Sequence, residues 1–300
     1  MQPLDDREDS WDEPRSVVIT GASRGLGLAS AIHLYGLGWR VVAAMRSPDA
    51  GLERLREATG ARSDDPRLIG VRLDLQDPAS ITAAAKAVEE AVGAPDALVH
   101  NAGIAAVACA EEMPFEAWEQ LFATNFFGPV RLTNELLPSM RATGRGRIVV
   151  ISSQGGIRGM PSISAYSASK AALERWAESL ANEIAPFGLG VTILVSGTFQ
   201  TEIITEQTPH YGNMNGPYAR QYAGIDRRGR LMVGRLANPP KRFASALARV
   251  LDERGPFSRR AVGLDARLLL LGSRLLSGRL LHHSIRLVMA LPRHGGLKEN

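Results

Sequence analysis

The sequence predicts an α/β fold, a single domain built on a doubly wound parallel sheet and extended at its end by an amphipathic helical segment. Three observations predict it. Apolar, β-branched runs of strand length recur along the first half of the chain, starting with SVVIT at Ser16–Thr20. Segments with apolar residues at helical spacing separate them, and strands alternating with helices imply a parallel sheet with helices on both faces. A glycine-punctuated turn, TGASRGLG at residues 20–27, joins the first strand to the first helix. The 300 residues, 45% of them apolar, are enough for a substantial core.

The elements follow in order. Residues 1–15 carry Asp5, Asp6, Glu8, Asp9, Asp12 and Glu13 and no apolar stretch, so they read as a disordered acidic arm rather than a secretory leader. The first strand runs through the glycine turn into a helix whose apolar residues Ala29, Ile32 and Leu37 fall near one face. Strand, glycine turn and helix form the Rossmann-type context in which glycines let the backbone approach a pyrophosphate and free N–H groups at the helix start attract its charge. Tight turns also demand glycine for steric reasons alone. The second strand, WRVVAAM at 39–45, ends beside Arg46 where an acidic residue would bind ribose hydroxyls. Arg46 and Arg24 together favour NADP(H) over NAD(H), their alternative being two solvated surface arginines; Asp49 is too far along the loop for the ribose role.

The third strand, LIGVRLDL at 68–75, carries Asp74, which either accepts a hydrogen bond from an adenine amino group or caps the helix expected around Ser80. The fourth, DALVHNAG at 96–103, ends in small residues that let the chain pass close to a ligand. A long helix is expected over 115–140, and Asn125 stands inside it, where an amide competes for backbone hydrogen bonds unless a kink or a bound water gives it a use. Ser153 in ISSQGG precedes Tyr166 and Lys170 of SAYSASK. A tyrosine and a lysine at i and i+4 share one helix face, so the ammonium can favour ionisation of the phenol, whose ordinary pKa near 10 is too high for a base at neutral pH.

Composition excludes some functions. A net charge of +4 without basic and aromatic residues interleaved argues against a nucleic-acid partner. The single cysteine, Cys109, forbids an intrachain disulfide and suits a reducing, cytoplasmic setting. No metal site is read. From residue 263 the chain is rich in leucine and arginine; Leu269, Leu276, Leu280, Leu287 and Leu291 recur at intervals of seven and four, flanked by Arg267, Arg274, Arg279 and Arg286. Arginines interrupt the run too often for a membrane span. Packing against the body or a sister subunit, lying on an anionic membrane surface, and roofing a hydrophobic pocket remain its three uses. Gly272 and Gly278 weaken a continuous helix there. The segment over 199–234, with Tyr211, Met214, Tyr218, Tyr222 and Met232 among glycines, reads as an irregular loop covering a substrate.

Taken together, TGASRGLG, NAG, Asn125, Ser153 and the Tyr166/Lys170 pair, in this order and spacing, resemble the short-chain dehydrogenase/reductase (SDR) family over residues 16–265. The resemblance implies that Asn125 and Lys170 hold a proton-relay water, that Ser153 binds the substrate oxygen, that Tyr166 is the acid or base, and that Lys170 hydrogen-bonds the nicotinamide ribose. It implies cofactor contacts from Gly21, Ser23, Arg24, Gly25, Leu26 and Gly27 in the turn, then Arg46, Asp74, Leu75, Asn101, Ala102 and Gly103. Tyr166, Lys170, Gly197, Thr198 and Thr201 complete the set. Two positions depart from the family pattern. Ser196 replaces a proline ahead of Gly197, which puts the rigidity of that loop in doubt, and His100 replaces an asparagine. The stretch RRAVGLDAR at 259–267, with APFG and GTFQT, is similar to retinol and steroid dehydrogenases, whose substrates are large and apolar. The expected catalytic domain is 16–262 and the tail 263–300. The expected function is an NADP(H)-dependent oxidoreductase that interconverts an alcohol and its carbonyl on a hydrophobic, retinoid-, steroid- or lipid-like substrate. A non-catalytic nucleotide sensor or scaffold, binding a partner or membrane through its tail, is the alternative.

Overall fold

The computed structural model describes residues 14–200 and 208–297. Thr201 and nearly all of the acidic arm therefore lie outside the described residues.

Five buried residues, Ser16–Thr20, form β1 in the middle of the sheet. Val18 faces one layer of the core while Val17 and Ile19 face the other. With both faces covered, a strand needs apolar side chains at every position, which is why the run is unbroken instead of alternating. The remaining strands are β2 (Arg40–Met45), β3 (Leu68–Arg72), β4 (Ala97–His100), β5 (Gly146–Ser153), β6 (Leu189–Ser196) and β7 (Phe257–Val262). All pair in parallel, in the order β3-β2-β1-β4-β5-β6-β7. Helices α1 (Gly25–Gly36) and α2 (Pro48–Thr59) cover one face, joined there by α9 (Pro240–Leu251). The other face is covered by α3 (Pro78–Val92), α5 (Gly128–Thr143) and α7 (Ser164–Ile184). The chain winds outward from β1 in both directions, so the carboxyl ends of β1 and β4 open a crevice where the winding reverses.

Several expectations are corrected. Helix α1 buries Ala31, Leu34 and Tyr35, and Leu37 is solvent-exposed, because the helix packs against α9 through a face one residue removed from the expected one. Strand β3 stops at Arg72, and Asp77, not Asp74, caps α3 by accepting from Ala79 N at 2.9 Å. The long helix expected over 115–140 is three pieces: α4 (Phe115–Phe122), a π-helical turn at Ala123–Phe127, and α5. Part of the expected loop is helical, since α8 (Ala219–Leu236) occupies its second half.

The tail folds as two helices, α10 (Leu264–Leu275) and α11 (Gly278–Val288), with Leu276 and Ser277 in extended conformation between them. The single stripe expected there does not form. Ala266, which joins the core, Leu270 and Leu281 are the buried apolar residues of these helices, while Leu276, Leu280 and Leu287 face solvent. Among the described residues no helix is long and apolar enough to cross a membrane.

Candidate active site

A cavity of about 880 Å³ runs along the crevice at the carboxyl ends of the strands. Its walls bring together Gly21, Ser23, Arg24, Gly25 and Leu26 after β1, Arg46 after β2, Asp74 and Leu75 after β3, and Asn101, Ala102 and Gly103 after β4. Ser153, Tyr166, Lys170, Gly197 and Thr198 close the other end. The wall thus joins residues from the ends of six strands and from two helices, α1 and α7, an assembly that no local pattern specifies.

The glycine turn shows why side chains are excluded there. Gly21 adopts φ +68°, and a methyl group built on it would lie 2.9 Å from Ala102 Cα. One built on Gly27 would lie 2.3 Å from Gly21 O and 2.5 Å from Asn101 Nδ2. Gly27 therefore does not line the cavity; it lets α1 approach the turn closely enough to aim its first N–H groups outward. Thr20, buried, ties the turn to the neighbouring strand: its hydroxyl accepts from Asn101 N and Ala102 N at 3.0 Å each. Asn101 in turn donates from Nδ2 to Thr20 O at 2.9 Å.

Three cations stand at the ribose end of the crevice. Arg24 and Arg46 are joined by Arg54 of α2, whose guanidinium donates to Ser23 O at 3.1 Å and lines the same cavity. Arg54 escapes the sequence reading because only the packing of α2 beside the glycine turn brings it there. Its position one helical turn after Ala50, another wall residue, is the one local clue.

At the other end, Tyr166 and Lys170 lie one turn apart on the buried face of α7. Lys170 Nζ donates to Ile151 O at 2.9 Å and sits 6.0 Å from the centre of the Tyr166 ring. Burial lowers the lysine to a pKa of about 8, and the Glu174 carboxylate, one turn further on, raises it against that trend. The tyrosine corrects an expectation. Burial pushes its phenol above the ordinary 10, opposed by a hydrogen bond with Ser153, so the lysine does not by itself make the phenol acidic.

Asn125 is fully buried behind the cavity wall, in the π-helical turn. The widened turn rotates its amide out of the helix ladder, a use that π-turns serve at functional sites. Its Oδ1 accepts from Ile104 N at 2.9 Å, and its Nδ2 donates to Ile104 O and Ser169 Oγ, each at 3.0 Å. A methyl group on Gly103 would lie 3.3 Å from both Asn125 Oδ1 and Lys170 Nζ, so glycine keeps the gap between those two atoms open.

The loop after β6 is held without a proline. Ser196 Oγ donates to Ser152 O at 2.9 Å, and Asp265 at the start of α10 accepts from Thr198 N at 2.7 Å and from Gln154 Nε2 at 2.8 Å. The carboxylate takes the place of ring rigidity by tying the loop to α10 and to the short helix α6 (Gln154–Ile157). The contact spans 67 residues, so spacing carries no signal of it. His100 is buried at the end of β4. Burial lowers its pKa to about 3, assisted by the positive Lys170, and it packs as a neutral ring against Trp176 with Nε2 2.7 Å from Thr133 Oγ1. Behind Lys170, the fully buried Glu174 accepts from Ser152 Oγ at 2.5 Å and pairs with Arg259 of β7.

This arrangement of glycine turn, buried asparagine, serine, tyrosine and lysine coincides with a match of residues 15–212 to the family model described as short chain dehydrogenase. The chain belongs to the short-chain dehydrogenase family. It is 38% identical to the uncharacterised oxidoreductase YusZ of Bacillus subtilis (strain 168) over 62% of this chain and 65% of that one. Retinol dehydrogenase 8 of Bos taurus is 36% identical over 64% of this chain and 61% of its own length. The matched stretches thus span a little under two thirds of these relatives. Among solved structures, a short-chain dehydrogenase from Streptomyces avermitilis superposes with a TM-score of 0.77 at 34% identity, covering 94% of this chain and 99% of that one. A metagenomic short-chain oxidoreductase in complex with NADP gives 0.65 at 26% identity, over 84% and 99%. The 3-ketoacyl-(acyl-carrier-protein) reductase of Brucella melitensis, complexed with NADH, gives 0.68 at 25% identity, over 83% and 97%. The cavity fits a dinucleotide: its glycine turn leaves room for a pyrophosphate beside the helix start, and its length joins that turn to Tyr166.

Proposed function

We propose that this short-chain dehydrogenase is an NADP(H)-dependent oxidoreductase that interconverts an alcohol and its carbonyl on an apolar substrate. One observation carries the reading: Tyr166, Ser153 and Lys170 line the same cavity as the glycine turn. The non-catalytic alternative gains nothing from this geometry, since a sensor has no use for the buried phenol.

Gly21 to Leu26 would hold the pyrophosphate, Lys170 the nicotinamide ribose, and Gly197 and Thr198 the carboxamide end. The nicotinamide, when bound, gives or takes the hydride. Everything else belongs to the chain's own residues. Ser153 orients the substrate oxygen toward the phenol. Tyr166, held protonated by its burial, donates a proton to a carbonyl oxygen as it gains charge, and takes one back in the opposite direction. Lys170, anchored on Ile151 O, replenishes that proton, with Asn125 beside it tying Ile104 after β4 to Ser169 of α7.

Arg24, Arg46 and Arg54 support a cofactor with a 2′-phosphate. The apolar substrate is supported by the far wall, where Val107, Met160, Ile163, Ile225, Val233 and Met289 face the cavity, and by the likeness to retinol dehydrogenase 8. Replacing Tyr166 by Phe tests the reading. With a panel of retinoids, steroids and medium-chain ketones, turnover followed by NADPH fluorescence should fall at least about 100-fold. Binding of NADPH should be nearly unchanged, and retained turnover would remove Tyr166 from its role.

A further inference from the structure

Four leucines of α10, Leu264, Leu268, Leu271 and Leu275, follow one another at intervals of four, three and four. They are 60%, 59%, 52% and 72% exposed. That spacing aligns them on one face, opposite the buried Ala266 and Leu270. Leu280, Leu287 and Val288 continue the exposed apolar surface on α11. The surface adjoins the cavity. Met289, just past α11, lines it together with Ile225, Gly229 and Val233 of α8, and a methyl group on Gly224 of α8 would lie 3.2 Å from Ala290 O. Leu231 and Val233 of α8 are themselves half exposed.

The charge around this surface is one-sided. Residues 219–236 and 264–297 contain ten arginines and two acidic residues, Asp226 and Asp265, the latter turned to Thr198 N and Gln154, in a chain whose net charge is +4. Asp226 pairs with Arg230, and among the described residues no other of the ten has a carboxylate within ion-pair reach. Arg267 and Arg286 donate to the carbonyls of Ala261 and Pro292, which leaves their charge uncompensated. An isologous dimer through this face would set arginines against arginines. Nucleic acid would leave the leucines in water. A bilayer bearing anionic headgroups satisfies both features, since leucines enter the interface while arginines meet the headgroups.

We infer that α10, α11 and the adjoining part of α8 dock on an anionic lipid surface, with the mouth of the cavity turned toward the bilayer. On the reading of that cavity as one for an apolar substrate, the pose lets substrate pass from lipid to site without crossing water. Docking is measured without turnover, so its failure and that of the proposed chemistry are separable.

The test uses the full chain and sucrose-loaded vesicles of phosphatidylcholine, either alone or with about one third phosphatidylglycerol. The protein should sediment with the anionic vesicles, weakly with the neutral ones, and less as salt is raised. Each of Arg274→Glu and Arg279→Glu should weaken binding by about fivefold or more. The double variant Leu268→Glu/Leu275→Glu should release the protein, its melting temperature unchanged because both side chains face solvent. Orientation is read from Leu231→Cys and Leu287→Cys carrying an environment-sensitive dye, with Leu37→Cys just past α1 as control; the native Cys109 is buried. Blue shifts at 231 and 287 but not at 37 are expected. No sedimentation with anionic vesicles, sedimentation insensitive to these substitutions, or a dye response equal at all three positions would overturn the proposal. So would the leucine variants dissociating an oligomer in light scattering while vesicle binding persists.

Discussion

Lowering the pH from 7 to 5 should cost the folded protein about 2 kcal/mol through one side chain, His100. The ring is 1% exposed, its Nδ1 finds no hydrogen-bond partner among the described residues, its Nε2 meets only the Thr133 hydroxyl, and the Lys170 ammonium adds a like charge. Its pKa therefore falls to about 3 in the fold, against about 6.5 in the unfolded chain. Between these values the unfolded chain binds the extra proton, so stability rises with pH across the window and is lost as pH falls. Each unit below 6.5 costs about 1.4 kcal/mol, and pH 5 lies one and a half units down, which gives the figure above. The result does not depend on the folded value so long as that stays below about 4. His100→Asn isolates the effect, because asparagine can still meet Thr133 but does not titrate. Urea denaturation of both proteins at the two pH values should show the wild type losing about 2 kcal/mol more than the variant. Equal losses would mean that the ring takes up its proton in the folded state, and the account of it as a packed neutral group would fail.

Asp265→Ala should remove the clamp on the loop after β6. It strands Thr198 N and Gln154 Nε2, so unfolding free energy should fall by about 2–4 kcal/mol. NADPH affinity measured by fluorescence titration should fall about tenfold, a factor worth about 1.4 kcal/mol, and an unchanged affinity would show that the loop holds its shape without the carboxylate. Arg46→Glu and Arg54→Glu should each weaken NADPH binding by about tenfold or more while changing NADH binding by less than about twofold. Equal effects on the two cofactors would take the 2′-phosphate away from these arginines.

The features legible in the sequence are those whose physics is local. Thr20 to Gly27 form a turn that glycine alone can make beside a helix start, and Tyr166 and Lys170 share a face because they stand one helical turn apart. Asn125 announced itself as a poor helix residue, and the π-helical turn supplies the kink it called for. His100 stood out only as a departure from the family pattern, and the packing against Trp176 and Thr133 that keeps it neutral was visible only in the structure. Less was legible where the outcome depended on what a segment packs against. The pattern of leucines in the tail suits several helical faces, and the choice among them was made by where β7 delivers the chain and which side of α10 meets the body.

By itself, then, the sequence determined the strand and helix alternation, the glycine turn and the helical spacing of the phenol and amine, because each follows from backbone sterics within a few residues. The tertiary structure alone decided that Arg54 joins Arg24 and Arg46, that Asp265 stands in for the missing proline, that burial keeps the Tyr166 phenol protonated, and that α10 turns four leucines outward. Those outcomes depend on groups distant in sequence sharing one low-dielectric crevice or one surface, and desolvation and packing act only after the chain has brought them together.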